Sequence, residues 1–296
     1  MQSPTSSLRV RPPDQAMRFY DAHNHLQDPR FAGTQSRLMA ACQIEGIAGM
    51  VVNGSCEADW PEVARLAARY TEVRPSFGYH PWYVHERTAH WQDTLRRYLD
   101  TLPAAVGEVG LDRWKPGLAY EGQEAVFLDQ LLLAAERNRP LSIHCLRTWG
   151  RLLELLETHP RPARGFLLHS YGGPAELVPP LAALGAYFGF PGYFAHPGKE
   201  RRRDAFRSVP LDRWLIETDA PDQRLPDHLQ RHPCATSDGS APINHPANLP
   251  AVYTVAANLL GLPLAQLAAI IEENFLRLFG LPTNQPTTAS PATVKE

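Results

Sequence analysis

Between residues 17 and 281, short apolar runs alternate with segments whose apolar residues recur every three or four positions. The runs fall at 17–22 (MRFYDA), 47–53 (IAGMVVN), 73–78, 104–109, 141–145 (LSIHC), 165–170, 186–190 and 213–219. Segments 121–138 and 147–159 carry the helical spacing. Strands alternating with helices predict parallel βα units, and eight of them predict an α/β chain closed into a (β/α)8 TIM barrel rather than an open doubly wound sheet. No GxGxxG or GxxxxGK[ST] loop follows any run, which counts further against a nucleotide-binding open sheet. Residues 1–16 and 282–296 are polar, aperiodic and rich in Ser, Thr or Pro. They are expected to be disordered tails around a single domain at 17–281.

The residues that close the runs carry the chemistry. The first run leads into Asp21-Ala22-His23-Asn24-His25. His23 and His25 are two apart, so an extended backbone turns both imidazoles to one face. The fourth run ends at Glu108, the fifth at His144, the sixth at His169 and the eighth at Asp219. In a barrel the C-terminal strand ends share one face, where the active site lies. Six metal-competent groups would then ring one cavity. Buried polar groups cost several kcal/mol each unless paired or coordinated, and two cations would satisfy all six.

Composition narrows the picture. A net charge of −2 and 44% apolar residues exclude a protein-wide basic field for nucleic acid, though not a local one. Cys42, Cys56, Cys145 and Cys234 include no CxxC pair, so reduced thiols and a cytoplasmic location are expected. No apolar run approaches the ~18 residues of a membrane span, and no membrane association or obligate protein partner is predicted.

The chain resembles the TatD family of metal-dependent hydrolases, within the amidohydrolase-like barrel group. The resemblance rests on DAHNHL at 21–26, GYHP at 78–81, GEVGLD at 107–112, IHC at 143–145, LHS at 168–170, IETDAP at 216–221 and ENFLRLF at 273–279. It implies two divalent ions, Zn, Mn or Mg. His23, His25 and Asp219 would hold one, Glu108 would bridge, and His144 and His169 would complete the second. His80, Arg147 and Tyr171 would bind substrate. Three departures touch the pocket loops. The acidic residue after the first histidine pair falls one place late, as Gln27-Asp28. The arginine of the fifth loop is Arg147, three places after His144 instead of two. The sixth motif reads His169-Ser170-Tyr171-Gly172-Gly173. Relatives bridged by a carboxylated lysine are excluded, since none of Lys115, Lys199 and Lys295 ends a run.

The resemblance implies a metal-activated water that attacks a phosphodiester bond of DNA, with Asp219 accepting the proton and Glu108 holding the metals. The alternative is hydrolysis of a small-molecule ester, amide or phosphoester. Lys199 to Arg203 and the aromatics Tyr79, Trp82, Tyr83, Trp114 and Tyr171 are candidate contacts for phosphates and bases. The long segment 222–248 is a candidate lid, and its His228, His232 and His245 are expected at the surface.

Overall fold

The computed structural model describes residues 17–235 and 241–280, so both expected tails lie outside the described residues. Eight strands pair in chain order, all parallel: β1 (Phe19–Asn24), β2 (Ile47–Asn53), β3 (Val73–Phe77), β4 (Ala105–Asp112), β5 (Leu141–Leu146), β6 (Phe166–Leu168), β7 (Ala186–Pro191) and β8 (Trp214–Glu217). The helices between and after them are α1 (Gln35–Ile44), α2 (Trp60–Arg69), α3 (Trp91–Thr101), α4 (Glu121–Glu136), α5 (Trp149–Thr158), α6 (Val178–Ala183), α7 (Glu200–Phe206), α8 (Leu249–Leu260) and α9 (Leu264–Phe279). This is the (β/α)8 barrel that the alternating pattern implies. Among the described residues no single helix is long and apolar enough to cross a membrane.

The strands read as continuous apolar runs because both faces are covered. Every residue of β1, β4, β7 and β8 is buried. The helices turn one stripe inward: α5 buries Leu152, Leu155 and Leu156, and α2 buries Trp60, Val63 and Leu66. Trp60 is fully buried, and its Nε1 donates to Gly78 O at 3.1 Å, which removes the cost of burying the indole N–H.

The barrel is sealed just beyond the strand ends. Asp219 N donates to His23 O at 2.9 Å and His25 N to Ala220 O at 2.8 Å. Thr218 N and Oγ1 both donate to the buried Asp21 carboxylate, at 3.0 and 2.6 Å. The backbone bonds that join β8 to β1 are therefore made at the residues singled out for metal chemistry.

Strand ends differ from expectation by one or two residues at β5, β6 and β8, and by four at β4. The fourth strand does not end at Glu108 but continues to Asp112. A shift of register between Val106 and Val109 breaks the ladder with β5, and pairing resumes from Val109–Ile143 to Asp112–Leu146. Glu108 lies in the shift, and its N–H donates to Gly54 O at 2.8 Å, beyond β2. Gly110 follows at φ 148°, where a Cβ would stand 1.9 Å from His144 O. Gly110→Ala should therefore lower stability by more than about 2 kcal/mol, read as a fall in Tm. Gly150→Ala in α5, where nothing lies within 4 Å of the added atom, should leave Tm unchanged or raise it slightly.

Candidate metal centre

Glu108 is the hub of the barrel mouth. It is 2% exposed and stands within reach of five imidazoles. Its two oxygens divide them. Oε2 lies 3.3 Å from His23 Nε2 and 3.2 Å from His25 Nε2. Oε1 lies 3.1 Å from His144 Nδ1, 3.0 Å from His169 Nε2 and 3.3 Å from His80 Nε2. Asp219 Oδ1 joins the first group, 3.6 Å from both His23 Nε2 and His25 Nε2. Three sets of donor atoms are close enough to share an ion: His23, His25 and Asp219; His23, Glu108 and His169; and His80, Glu108 and His144. Residues from β1, β4 and β5, and from just past β3, β6 and β8, thus converge on one point.

The far nitrogen of each ring assigns its proton. His25 Nδ1 lies 2.8 Å from Asn53 O, a pure acceptor, so it carries the hydrogen and Nε2 presents a lone pair to Glu108. His144 Nε2 lies 2.9 Å from Asp112 Oδ2, which leaves Nδ1 as the lone-pair atom. His169 Nδ1 makes no hydrogen bond, but the Glu217 carboxylate 3.5 Å away favours a hydrogen there and the Nε2 lone pair towards Glu108. His80 is the reverse: its Nδ1 accepts from Trp82 N at 3.2 Å, so neutral His80 donates from Nε2 to Glu108. His23 Nδ1 lies 2.7 Å from the Ser142 hydroxyl, which can take either role.

Three imidazole lone pairs facing a buried carboxylate at 3.0–3.2 Å repel it unless a proton or a cation lies between. The donor set, imidazole and carboxylate without thiolate, fits Zn, Mn or Mg-type ions. Protons meet the same need. Burial disfavours the charged form of His25, but the hydrogen bond and charge of Glu108, with Asp219, outweigh it and push the pKa up to about 9. His169 is raised well above its usual value and His144 is raised, in each case against burial and through Glu108 and a second carboxylate. Burial alone would raise Glu108, yet the imidazoles hold it well below the carboxylate range. Burial lifts Asp219 to about 6.

Several supporting groups escaped the sequence reading. Asp112, Glu217, Ser142 and Asn53 are all buried behind the histidines. Asp112 and Glu217 lie inside the GEVGLD and IETDAP stretches, so their motif position was a signal; Ser142 and Asn53 had none beyond their place on strands. Gln223, one turn past Asp219, donates to Asp219 Oδ2 at 2.8 Å.

The remaining expected contacts are scattered. A cavity of about 240 Å³ is lined by His25, His80, Glu108, His144, His169 and Asp219, with Trp82, Trp114, Ser170 and Gln223 among its walls. Arg147 is exposed on the rim at φ 58° and lines no part of that cavity. Tyr171, expected to touch substrate, is instead fully buried: its hydroxyl donates to Pro174 O at 2.7 Å and its ring packs on Trp149 and Phe188. Tyr79 is likewise buried, while Tyr83 lines an adjoining hollow. In the basic run, Arg203 pairs with Glu200, and Lys199 sits over the Tyr193 ring at 4.4 Å. Of the expected lid's described residues, Asp222 and Gln223 line the cavity. Asn244 and Asn248 pin the rest, Asn244 Nδ2 donating to Thr218 O at 2.8 Å and Asn248 Oδ1 accepting from His232 N at 2.8 Å. His228 is exposed and His232 half-buried, but His245 is buried, and its ring nitrogen accepts from Ala247 N at 3.0 Å.

A sequence profile described as TatD related DNase matches residues 20–280. The chain is 28% identical over 268 residues to the uncharacterized metal-dependent hydrolase YjjV of Escherichia coli K12, covering 90% of this chain and 99% of that one. It is 31% identical over 271 residues to the 3'-5' ssDNA/RNA exonuclease TatD of Shigella flexneri, covering 88% and 99%. The crystal structure of YjjV, a TatD homolog from Escherichia coli K12, superposes with a TM-score of 0.81 at 27% identity, over 90% of this chain and 99% of that chain.

Since His25 and His169 hold protons at neutral pH, a cation has to displace them. Apparent metal affinity should therefore rise with pH from 6 towards 9, where His25 deprotonates by itself. Calorimetric titration at pH 7 in buffers of different ionisation enthalpy should report at least one proton released as metal binds; none released would contradict these assignments.

Proposed function

The chain belongs to the TatD-related DNase family of metal-dependent hydrolases, and from that footing we propose that it cleaves phosphodiester bonds of single-stranded nucleic acid, DNA foremost, with two divalent ions. The observation that carries the reading is the split of the histidines between the two oxygens of Glu108. His23, His25 and Asp219 would hold one ion, His144 and His169 would hold the other, and Glu108 would serve both. The relatives named as 3'-5' ssDNA/RNA exonucleases supply the substrate class.

When bound, the cations supply the positive charge that acidifies a water molecule and neutralises the phosphate. The chain's own groups do the rest. Asp219 lies at the cavity wall, its Oδ2 held by Gln223, and accepts a proton from the attacking water. Glu108 would hold the ions and take no part in that proton transfer. His80 lines the cavity and directs its Nε2 hydrogen towards Glu108, beside the site of the substrate phosphate. Arg147, exposed on the rim, meets the strand's outer phosphates. Tyr171 shapes the loop after β6 from within the core and touches no substrate.

Protein stripped by a chelator and resupplied with Mn, Mg or Zn should degrade labelled single-stranded DNA only with metal. Asp219→Asn should keep its fold and lose ~10²–10⁴ in kcat. Turnover should fall as salt rises, because phosphate contacts release counterions. DNA left intact under every metal, beside hydrolysis of a small phosphodiester, would contradict the nucleic-acid reading.

A further inference from the structure

The wall of the cavity formed by the turn after β4 is built unlike the rest. Trp114 is 52% exposed, among the most exposed large apolar side chains, and it lines the cavity beside His144. Next to it, the Lys115 ammonium lies 3.8 Å from the centre of the Trp82 ring. No carboxylate stands within ion-pair distance of Lys115 among the described residues. Arg113 has its guanidinium 3.8 Å over the Tyr120 ring, and its N–H donates to Leu146 O at 3.0 Å, which ties this turn to the rim carrying Arg147. An exposed indole and an unpaired ammonium thus stand side by side at the mouth of the metal centre, on a protein whose net charge is −2.

One carboxylate sets this wall and the centre in register. Asp112 Oδ2 accepts from Trp82 Nε1 at 2.7 Å and from His144 Nε2 at 2.9 Å. Asp112 Oδ1 accepts from Trp114 N at 2.6 Å and Lys115 N at 3.0 Å. The side chain that fixes the tautomer of His144 therefore also fixes the backbone beneath Trp114 and Lys115.

We propose that Trp114 and Lys115 form a nucleotide subsite beside the metal centre: the Trp114 indole stacks on the base of an unpaired nucleotide at the cleaved end, and the Lys115 ammonium holds a phosphate of the same strand. The proposal rests on the nucleic-acid reading above and adds the residues that select an unpaired base. Stacking needs an open π face and is indifferent to base identity. A base in a duplex has both faces covered, so an end must fray before it can enter. Lys115, held over Trp82, supplies the charge, and among the described residues no carboxylate pairs with it and has to be displaced.

The test compares two single strands, one with an ordinary nucleotide at the cleaved end and one with an abasic residue there. Wild-type protein should cleave the ordinary strand with a kcat/KM roughly ten-fold or more above the abasic one, mostly through KM. Trp114→Ala should bring that ratio close to one, and Trp114→Phe, which keeps a stacking face, should preserve most of it. Lys115→Ala should lower the salt dependence by about one phosphate contact. Equal cleavage of both strands by the wild type, or a ratio unaltered in Trp114→Ala, would overturn the subsite and leave the nuclease reading intact. Failure of the wild type to cut either strand with metal present would overturn the nuclease reading and the subsite with it.

Discussion

A single carboxylate, buried to 2% exposure and surrounded by five imidazole nitrogens at 3.0–3.3 Å, sets the terms for this barrel. Glu108 cannot be ionised there without compensating charge, and three of its neighbours offer it lone pairs. Only protons or cations reconcile these groups. The rest of the mouth is arranged around that condition. Asn53, Asp112 and Glu217 lie behind His25, His144 and His169, and each favours the tautomer that turns a lone pair inward. The backbone bonds that close β8 onto β1 are made by His23, His25 and Asp219, so the geometry of closure and the geometry of the centre are one property.

Much of this was legible in the sequence. The eight runs correspond to the eight strands because parallel strands are covered on both faces and read as unbroken apolar stretches. The HxH pair placed two imidazoles together, and in the structure their Nε2 atoms stand 3.3 Å apart. Other features depended on contacts that no local pattern encodes. β4 runs four residues past Glu108 because it pairs with β5 after a register shift, and pairing across strands leaves no trace in either strand alone. Tyr171 and His245 looked like loop residues available to solvent or ligand. Each is buried, with its polar atom satisfied by nearby backbone, Pro174 O for one and Ala247 N for the other. Asp112 is the most consequential omission: it sits inside a recognised stretch, but its four partners come from three separate segments.

The barrel also shows how a chain with almost no net charge can present a site for a polyanion. Several arginines are held by neighbouring carboxylates, as in the pairs of Arg65 with Glu62, Arg137 with Asp100 and Arg224 with Asp227. Arg30 is held by Asp28 and Asp222, which fastens the loop after β1 to the loop after β8. Positive charge for a phosphate at the barrel mouth would come from cations held around Glu108 and from the basic groups beside Trp114. Fold and chemistry agree with the family: a shared barrel places the ligands, and the loops, where this chain departs from its relatives, carry substrate choice.

The claim on which everything turns is that Glu108 joins two cation sites. Its most direct test is the metal content of the folded chain, measured by mass spectrometry after equilibrium dialysis against Mn or Zn, in wild-type protein and in Glu108→Gln. Two ions per wild-type chain and no more than one in the variant is the result this account predicts. A wild-type chain that retains one ion or none, or a variant that keeps both, would contradict it.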